Sequence, residues 1–520
     1  MATLTRTRPR PGPLRRAAAR VPRELALLLL VVGLFGVTWA LVVPAWQAPD
    51  EDVHFSYTQT IVERGQLPGN GPREVSSEQR QSMDFLNTDQ TVLIPGTKPD
   101  WSPLSADVFR HDSRDTPRDD GGSPNGSSSN PPAYYLYESV PYALASGSDL
   151  ITRAYVMRLF AVAWLLVTTT AAWLLAGELF GRNRLLQLVT AATIGLWPML
   201  SFISSTLNPD GMLVALWTLC IWLGVSILRR GVSAPRAIGL CLCVGLALVT
   251  KATALALVPP AAFALGLGMW RARSRLSAKQ VKWLAAAAVA FALPVVAWVL
   301  IARGAGHAAY GQAAKVAQTD QAVSQVASVQ ASGTASPSYF ASYLWQFYLP
   351  KLPFMQDHRF VFPVISHYPA YEVWLGSGWA SFGWVNIWFP PWVYRLFLAI
   401  VLAVAAGAGL AAFRGARVLR AAPKRARRAS LAVGAFIVLT VGALLAGLHW
   451  TDFHLLVDGK PPFIQGRYLL PVGALLAAVV AVAVRALPQR FRLAGAGAVL
   501  GGMIAFQVAC LGLVMGHFYA

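Results

Sequence analysis

The feature that most constrains this chain is a series of apolar runs, each about as long as a bilayer is thick, separated by short basic loops. Uninterrupted apolar stretches fall at about 25–43, 155–177, 186–203, 211–228, 237–250, 252–270, 283–303, 392–413, 429–448, 468–484 and 494–515. Roughly 17–25 such residues carry a helix across a hydrocarbon core. Inside that core every backbone polar group must be satisfied within the fold, which leaves helices or closed barrels. The expected fold is an all-α integral membrane protein, a polytopic bundle of about 11 transmembrane helices. Composition agrees: 55% of residues are hydrophobic and 13% charged, against about 25% charged in soluble domains.

Charge gives the expected orientation. The formal net charge is +20, yet its distribution does not fit nucleic-acid binding, and no nucleic-acid partner is expected. Of the 44 Lys and Arg, 27 lie in the N-terminal tail and in short loops at every second segment end, while 16 of the 24 acids lie in residues 46–153. Basic loops alternating with less basic ones are the positive-inside pattern, and the basic excess suits anionic membrane lipids. Eleven crossings then put the N-terminus in the cytoplasm. Two large loops, 46–153 and 304–391, face outward with the shorter 204–210 and 449–467.

The chain divides into a basic tail (1–24), an N-terminal membrane module (25–303), an aromatic-rich outer loop (304–391) and C-terminal helices (392–520). The first span is expected to be a retained anchor, because no clear small-residue cleavage site precedes Asp50. Residues 110–130 are polar and Gly/Ser-rich and read as mobile. Lys251 interrupts the apolar run 237–270. Two short helices meeting near it, or a re-entrant pair, keep the flanking basic segments on one side. Cys220, Cys241, Cys243 and Cys510 all fall in apolar segments and read as small buried hydrophobes.

Chemistry gathers in Pro44–Phe55, PAWQAPDEDVHF. Asp50, Glu51 and Asp52 sit side by side at a membrane surface, where charge is costly without a role. The acids can cap a helix. A carboxylate there can also deprotonate an acceptor hydroxyl. His54 reads as a packing or hydrogen-bonding neighbour. Asn208 and Asp210 follow in LNPDGM; Asp210 either caps a helix or binds sugar hydroxyls. Arg467 lies in QGRYLLP with Tyr468 beside it. It either snorkels next to an anchoring tyrosine or clamps a phosphate, which guanidinium suits geometrically. Lys251, Lys351 and Arg359 are further cationic candidates. The tryptophans of 339–392, Trp384 among them, form either an interfacial belt or a platform for sugar faces. His358 and His367 lie there too, without a converging set that would define a metal site.

Asp50-Glu51 followed by His54-Phe55 resembles the Asp-Glu motif in the first external loop of protein O-mannosyltransferases and related enzymes of the GT-C glycosyltransferase fold. The resemblance implies an acidic general base in this loop and a sugar donor carried on a polyprenyl phosphate; the extra Asp52 breaks the strict spacing. A closer resemblance is to the bacterial polytopic family known as domain of unknown function 2142. It rests on PAWQAPDEDVHF, NPPAYYLY (130–137), LNPDGM, WASFGWVNIWFP (379–390) and QGRYLLP, in order from residue 44 to 471. All five fall at the outer face in the topology above, which used only apolar length and basic loops.

The resulting expectation is an inverting glycosyltransferase. It moves a sugar from a polyprenyl-phosphate donor to an envelope glycan, lipid or protein acceptor. Asp50 and Glu51 are the candidate catalytic acids. Asp52, His54, Asn208, Asp210, Lys251, Arg359, Trp384, Arg467 and Tyr468 are the candidate binding residues. No organic cofactor is expected, and a divalent cation is left open. A transporter or flippase of a lipid-linked glycan is the alternative, and a polysaccharide polymerase or ligase would share the donor. A transporter would hold ionisable groups at mid-membrane depth, and the span interiors are nearly free of them.

Overall fold

A nearly unbroken run of Leu, Val and other apolar residues makes α1 (Arg23–Val42), which ends where Pro44 removes a backbone donor. The computed structural model describes residues 21–93, 97–99, 103–273, 278–304, 336–355, 369–458 and 464–520. Arg359, His358 and His367 lie outside the described residues, as does most of the polar stretch 304–338.

Four helices form the first long connection: α2 (Glu51–Arg64), α3 (Ser77–Phe85), α4 (Thr88–Leu93) and α5 (Pro103–Asp112). Helix α6 (Ala133–Leu144) leads from it into the 31-residue α7 (Leu150–Phe180). Then come α8 (Arg184–Gly195), α9 (Pro198–Ile203), α10 (Asp210–Arg230), α11 (Ala234–Leu248), α12 (Val258–Ala272) and α13 (Ala278–Gly304). The second half holds α14 (Pro337–Tyr348), a two-stranded hairpin of Ser381–Phe382 and Ile387–Trp388, α15 (Pro391–Ala421), α16 (Lys424–Val457), α17 (Gly473–Ala486) and α18 (Arg492–Tyr519).

Among the described residues nine helices are long and apolar enough to cross a membrane. The other two expected spans are shorter pieces. Pro198 splits 184–203 into α8 and α9, and α11 has 15 residues. The 237–270 run is a helical hairpin. At its turn Lys251 reaches Asp210, at the start of α10; at its far end Arg271 donates to the Leu228 carbonyl, near the end of α10. Both limbs therefore run beside α10, a helix roughly 31 Å long, and return the chain to the end it left, an arrangement that two short spans and a re-entrant pair share.

Helix α10 is the enclosed centre, with 89% of its apolar window buried, whereas α15 buries 0% and presents its apolar surface outward. One apolar core reaches from Leu25 to Phe518. A buried amide threads it: Gln507 of α18 accepts from Trp39 Nε1 at 2.8 Å and donates to Ser201 Oγ at 2.6 Å. Pairing of this kind is what makes a polar group tolerable in such a core.

Residues 110–130, read above as mobile, are instead strapped across α2. The Gly122 carbonyl accepts from Gly69 and Gly71, Asp120 accepts from the Ser77 backbone and hydroxyl, and Arg64 donates to the Gly121 carbonyl. Short polar side chains and glycines made the stretch look loose. Here the same side chains supply backbone hydrogen bonds.

Candidate active site

The turn between α1 and α2 is held by Arg158, which projects from α7. Its Nη1 donates to the Val43 and Ala40 carbonyls at 2.6 and 3.2 Å, capping α1, and Nη2 reaches the Pro44 carbonyl at 3.0 Å. Its Nε and Nη2 also grip both oxygens of Glu51, the first residue of α2. The Trp46 and Leu207 backbone N–H groups donate to the same carboxylate at 3.1 and 3.2 Å. Both side chains of the pair are fully buried. Glu51 is thus saturated and out of reach of a substrate. This corrects the expectation of a catalytic Glu51: a carboxylate locked bidentate by a buried arginine is a strut, with no free lone pair facing an acceptor.

Asp50, one position earlier, is placed differently. Its backbone is left-handed (φ 60°), and its side chain caps nothing. The side chain is 49% exposed and accepts from Arg467 Nη2 at 3.1 Å. Arg467 also stands 3.9 Å from Asp210, and Asp210 accepts from Lys251 Nζ at 2.6 Å. Lys251 and Arg467 lie over the Tyr468 ring at 5.3 and 5.5 Å. Two carboxylates and two cations thus alternate, with one open end at Asp50. Arg467 Nη1 has no hydrogen-bond partner among the described residues, and small crevices flank Arg467 on both sides.

His54 lies one turn along α2. Its Nδ1 meets Tyr135 Oη at 2.9 Å and Ser127 Oγ at 3.0 Å, and Tyr57 stacks on Tyr135 with centroids 3.7 Å apart. Burial pulls the imidazole down to about 4, helped by Lys251 and Arg467 and opposed by Asp50 and Asp210. Neutral His54 is a packing and hydrogen-bonding neighbour of the charged row. Burial pushes the Asp52 carboxyl up to about 7, and negative Asp50 and Glu51 add to the rise. Asp52 Oδ1 has no hydrogen-bond partner among the described residues.

The remaining candidates are positioned by their loops. Asn208 accepts from the Asp210 N–H at 3.0 Å and reaches the Pro49 carbonyl at 3.4 Å, so it braces the turn. Asp210 opens α10 as its first residue rather than capping it. Trp384, at the hairpin tip, donates to the Trp46 carbonyl at 3.0 Å. Trp379 stacks on Trp197 at 4.1 Å. These tryptophans pack loops together, whereas Trp392, 63% exposed, is left for an interfacial belt. Gly466 N donates to Ser377 Oγ at 2.8 Å, docking the aromatic loop on the turn that carries Arg467. The sequence reading missed Arg158; a basic residue within a span is the signal that could have found it. Among the described residues no three His, Cys, Asp or Glu side chains converge as a metal site would require.

The five sequence pieces singled out above therefore meet at one end of the bundle, through Asp50–Arg467, His54–Tyr135, Leu207–Glu51 and Trp384–Trp46. Residues 33–477 match the profile of DUF2142, described as predicted membrane protein. The chain belongs to the DUF2142 family. A comparison with curated proteins finds no match. Among solved structures, the fold of this DUF2142 protein is similar to the oligosaccharyltransferase AglB of Archaeoglobus fulgidus, in complex with an inhibitory peptide and a dolichol-phosphate (11% identity, TM-score 0.48, 96% of this chain and 56% of that one). It is similar to ArnT of Cupriavidus metallidurans bound to undecaprenyl phosphate (13%, 0.42, 96% and 76%). It is also similar to the arabinosyltransferase EmbB of Mycobacterium smegmatis (12%, 0.40, 99% and 42%). The chain thus spans about half the length of the archaeal enzyme. With its family and its apolar helices, it is a multi-pass membrane protein.

Proposed function

We propose that this DUF2142 protein is a glycosyltransferase that takes a sugar from a polyprenyl phosphate and delivers it to an envelope glycan, lipid or protein on the extracytoplasmic face. The observation that carries this reading is the Asp50–Arg467 pair. It sets a half-exposed carboxylate against a buried guanidinium with a spare nitrogen. A lipid-borne phosphate is a stronger ligand for Arg467 than a half-solvated carboxylate. Its arrival displaces Asp50 and frees it to act as base.

The acceptor hydroxyl then gives its proton to Asp50, and its oxygen attacks the anomeric carbon. The bond from that carbon to the phosphate oxygen breaks, and the electron pair leaves with the polyprenyl phosphate, whose charge Arg467 and Lys251 balance. In-line displacement inverts the anomeric centre. Asp210 keeps both cations in place, and Glu51 with Arg158 fixes the turn that aims Asp50. The outward orientation rests on the basic loops at the opposite helix ends.

The test is transfer from a synthetic polyprenyl-phosphate sugar by purified protein. Asp50→Asn should lower the rate by roughly 10²–10⁴-fold with the fold intact. Full activity in that variant would reject Asp50 as the base.

A further inference from the structure

At the far end of α2 lies a second cavity, of about 650 Å³, which the transfer chemistry does not use. Its floor is a nearly buried polar chain. Arg153 pairs with Glu78 and donates to Tyr142 Oη, and Tyr142 donates to Glu63 Oε1 at 2.8 Å. Arg153 is 1% exposed, and its Nε has no hydrogen-bond partner among the described residues. Arg118 closes one side, 3.2 Å from Glu63 and donating to the Ser146 carbonyl at 3.0 Å. Asp115 and Asp119 stand exposed at the rim, in no ion pair among the described residues.

We infer that this basin is a saccharide subsite, holding the non-reacting part of a neutral oligosaccharide acceptor. The walls carry carboxylates, guanidiniums and the hydroxyls of Ser113, Thr116 and Ser148, with little apolar surface for a lipid chain. Five carboxylates face three guanidiniums, and the two unpaired acids at the rim repel phosphates and uronates. Sugar hydroxyls donate to carboxylates and accept from arginines, so a neutral glycan satisfies both kinds of wall.

Position supports the same occupant. Glu51 and Glu63 mark the two ends of α2, roughly 18 Å apart at 1.5 Å per residue. On α7, Arg153 serves the basin and Arg158 serves the turn at Asp50. One rigid pair of helices thus sets the basin a few sugar rings from the base. A glycan seated there presents its terminal hydroxyl to Asp50, which turns remote binding into positioning.

The inference rests on the transferase reading but is tested by binding alone. The probes are fluorescently labelled short mannan, glucan and arabinan fragments, with an oligogalacturonate as the anionic control, titrated against the full chain in nanodiscs. At least one neutral fragment should bind, and the oligogalacturonate should not. Arg118→Ala and Asp119→Ala, both at the accessible rim, should each weaken that binding about tenfold, while Asp50→Asn leaves it unchanged. Binding of no neutral fragment, equal binding of the oligogalacturonate, or binding that survives both rim substitutions overturns the inference. Absence of sugar transfer by the wild-type protein would instead sink the transferase reading and leave the binding result standing.

Discussion

Removing the Glu51 side chain leaves Arg158 buried with only carbonyl partners, and breaking a buried pair in this way costs about 3–5 kcal/mol. Glu51→Ala should therefore lower the unfolding midpoint of the detergent-solubilised protein sharply; an unchanged midpoint would remove Glu51 from its structural role. Asp52 makes a pH-dependent prediction. Its folded-state value, about 7, lies above the ordinary 3.8. The folded chain therefore keeps a proton that the unfolded chain has released, and the stability this gives is complete below about pH 4 and lost as pH rises through 7. Asp52→Asn cannot ionise, so its midpoint should gain on the wild type between about pH 5 and about pH 8. A gap that narrows over that range contradicts the burial of Asp52. The sequence displayed Asp50, Glu51 and Asp52 as one cluster, because adjacency is all a sequence can display. The left-handed backbone at Asp50 sets it outside the helix, while Glu51 begins the helix against α7. That division of labour depends on Arg158, 107 positions away, and no local pattern could reveal it.

Elements meet at this site through close backbone approaches. A Cβ on Gly466 would fall on the Gly378 backbone and the Val373 carbonyl. Gly466→Ala should push the aromatic loop off the Arg467 turn, at about 1–3 kcal/mol of overpacking strain, and reduce transfer along with stability. A variant with the wild-type midpoint would mean that the two segments are not in contact. At this scale the helices were legible and their breaks were not. Apolar length located the nine long helices among the described residues and the shorter apolar pieces α8, α9 and α11, because apolar burial leaves a strong compositional trace. The split at Pro198 was a local proline signal that the apolar run concealed, whereas the π-turn at Tyr371–Ser377 depends on packing against other segments. So does the order of residues 110–130, whose polar composition is shared by loose linkers and by segments bonded to a neighbouring backbone.

For the whole molecule, the alternation of basic loops makes the orientation testable. A reporter active only in the cytoplasm, fused after Asp120, should be silent, and a signal there would invert the topology and move Asp50 to the cytoplasmic face. The candidate site was legible as separated motifs expected on one face, and the contacts between them were not, since they join distant parts of the chain. Asp50 and Arg467 lie 417 positions apart. Because translation proceeds from the N-terminus, the acid is made early and its cation only near the end. A ribosome halted before the last outer turn releases a chain with Asp50 in place and Arg467 not yet made. Such a product carries Asp50 without its ion-pair partner, so on the proposed mechanism sugar transfer is expected only from chains translated past Arg467.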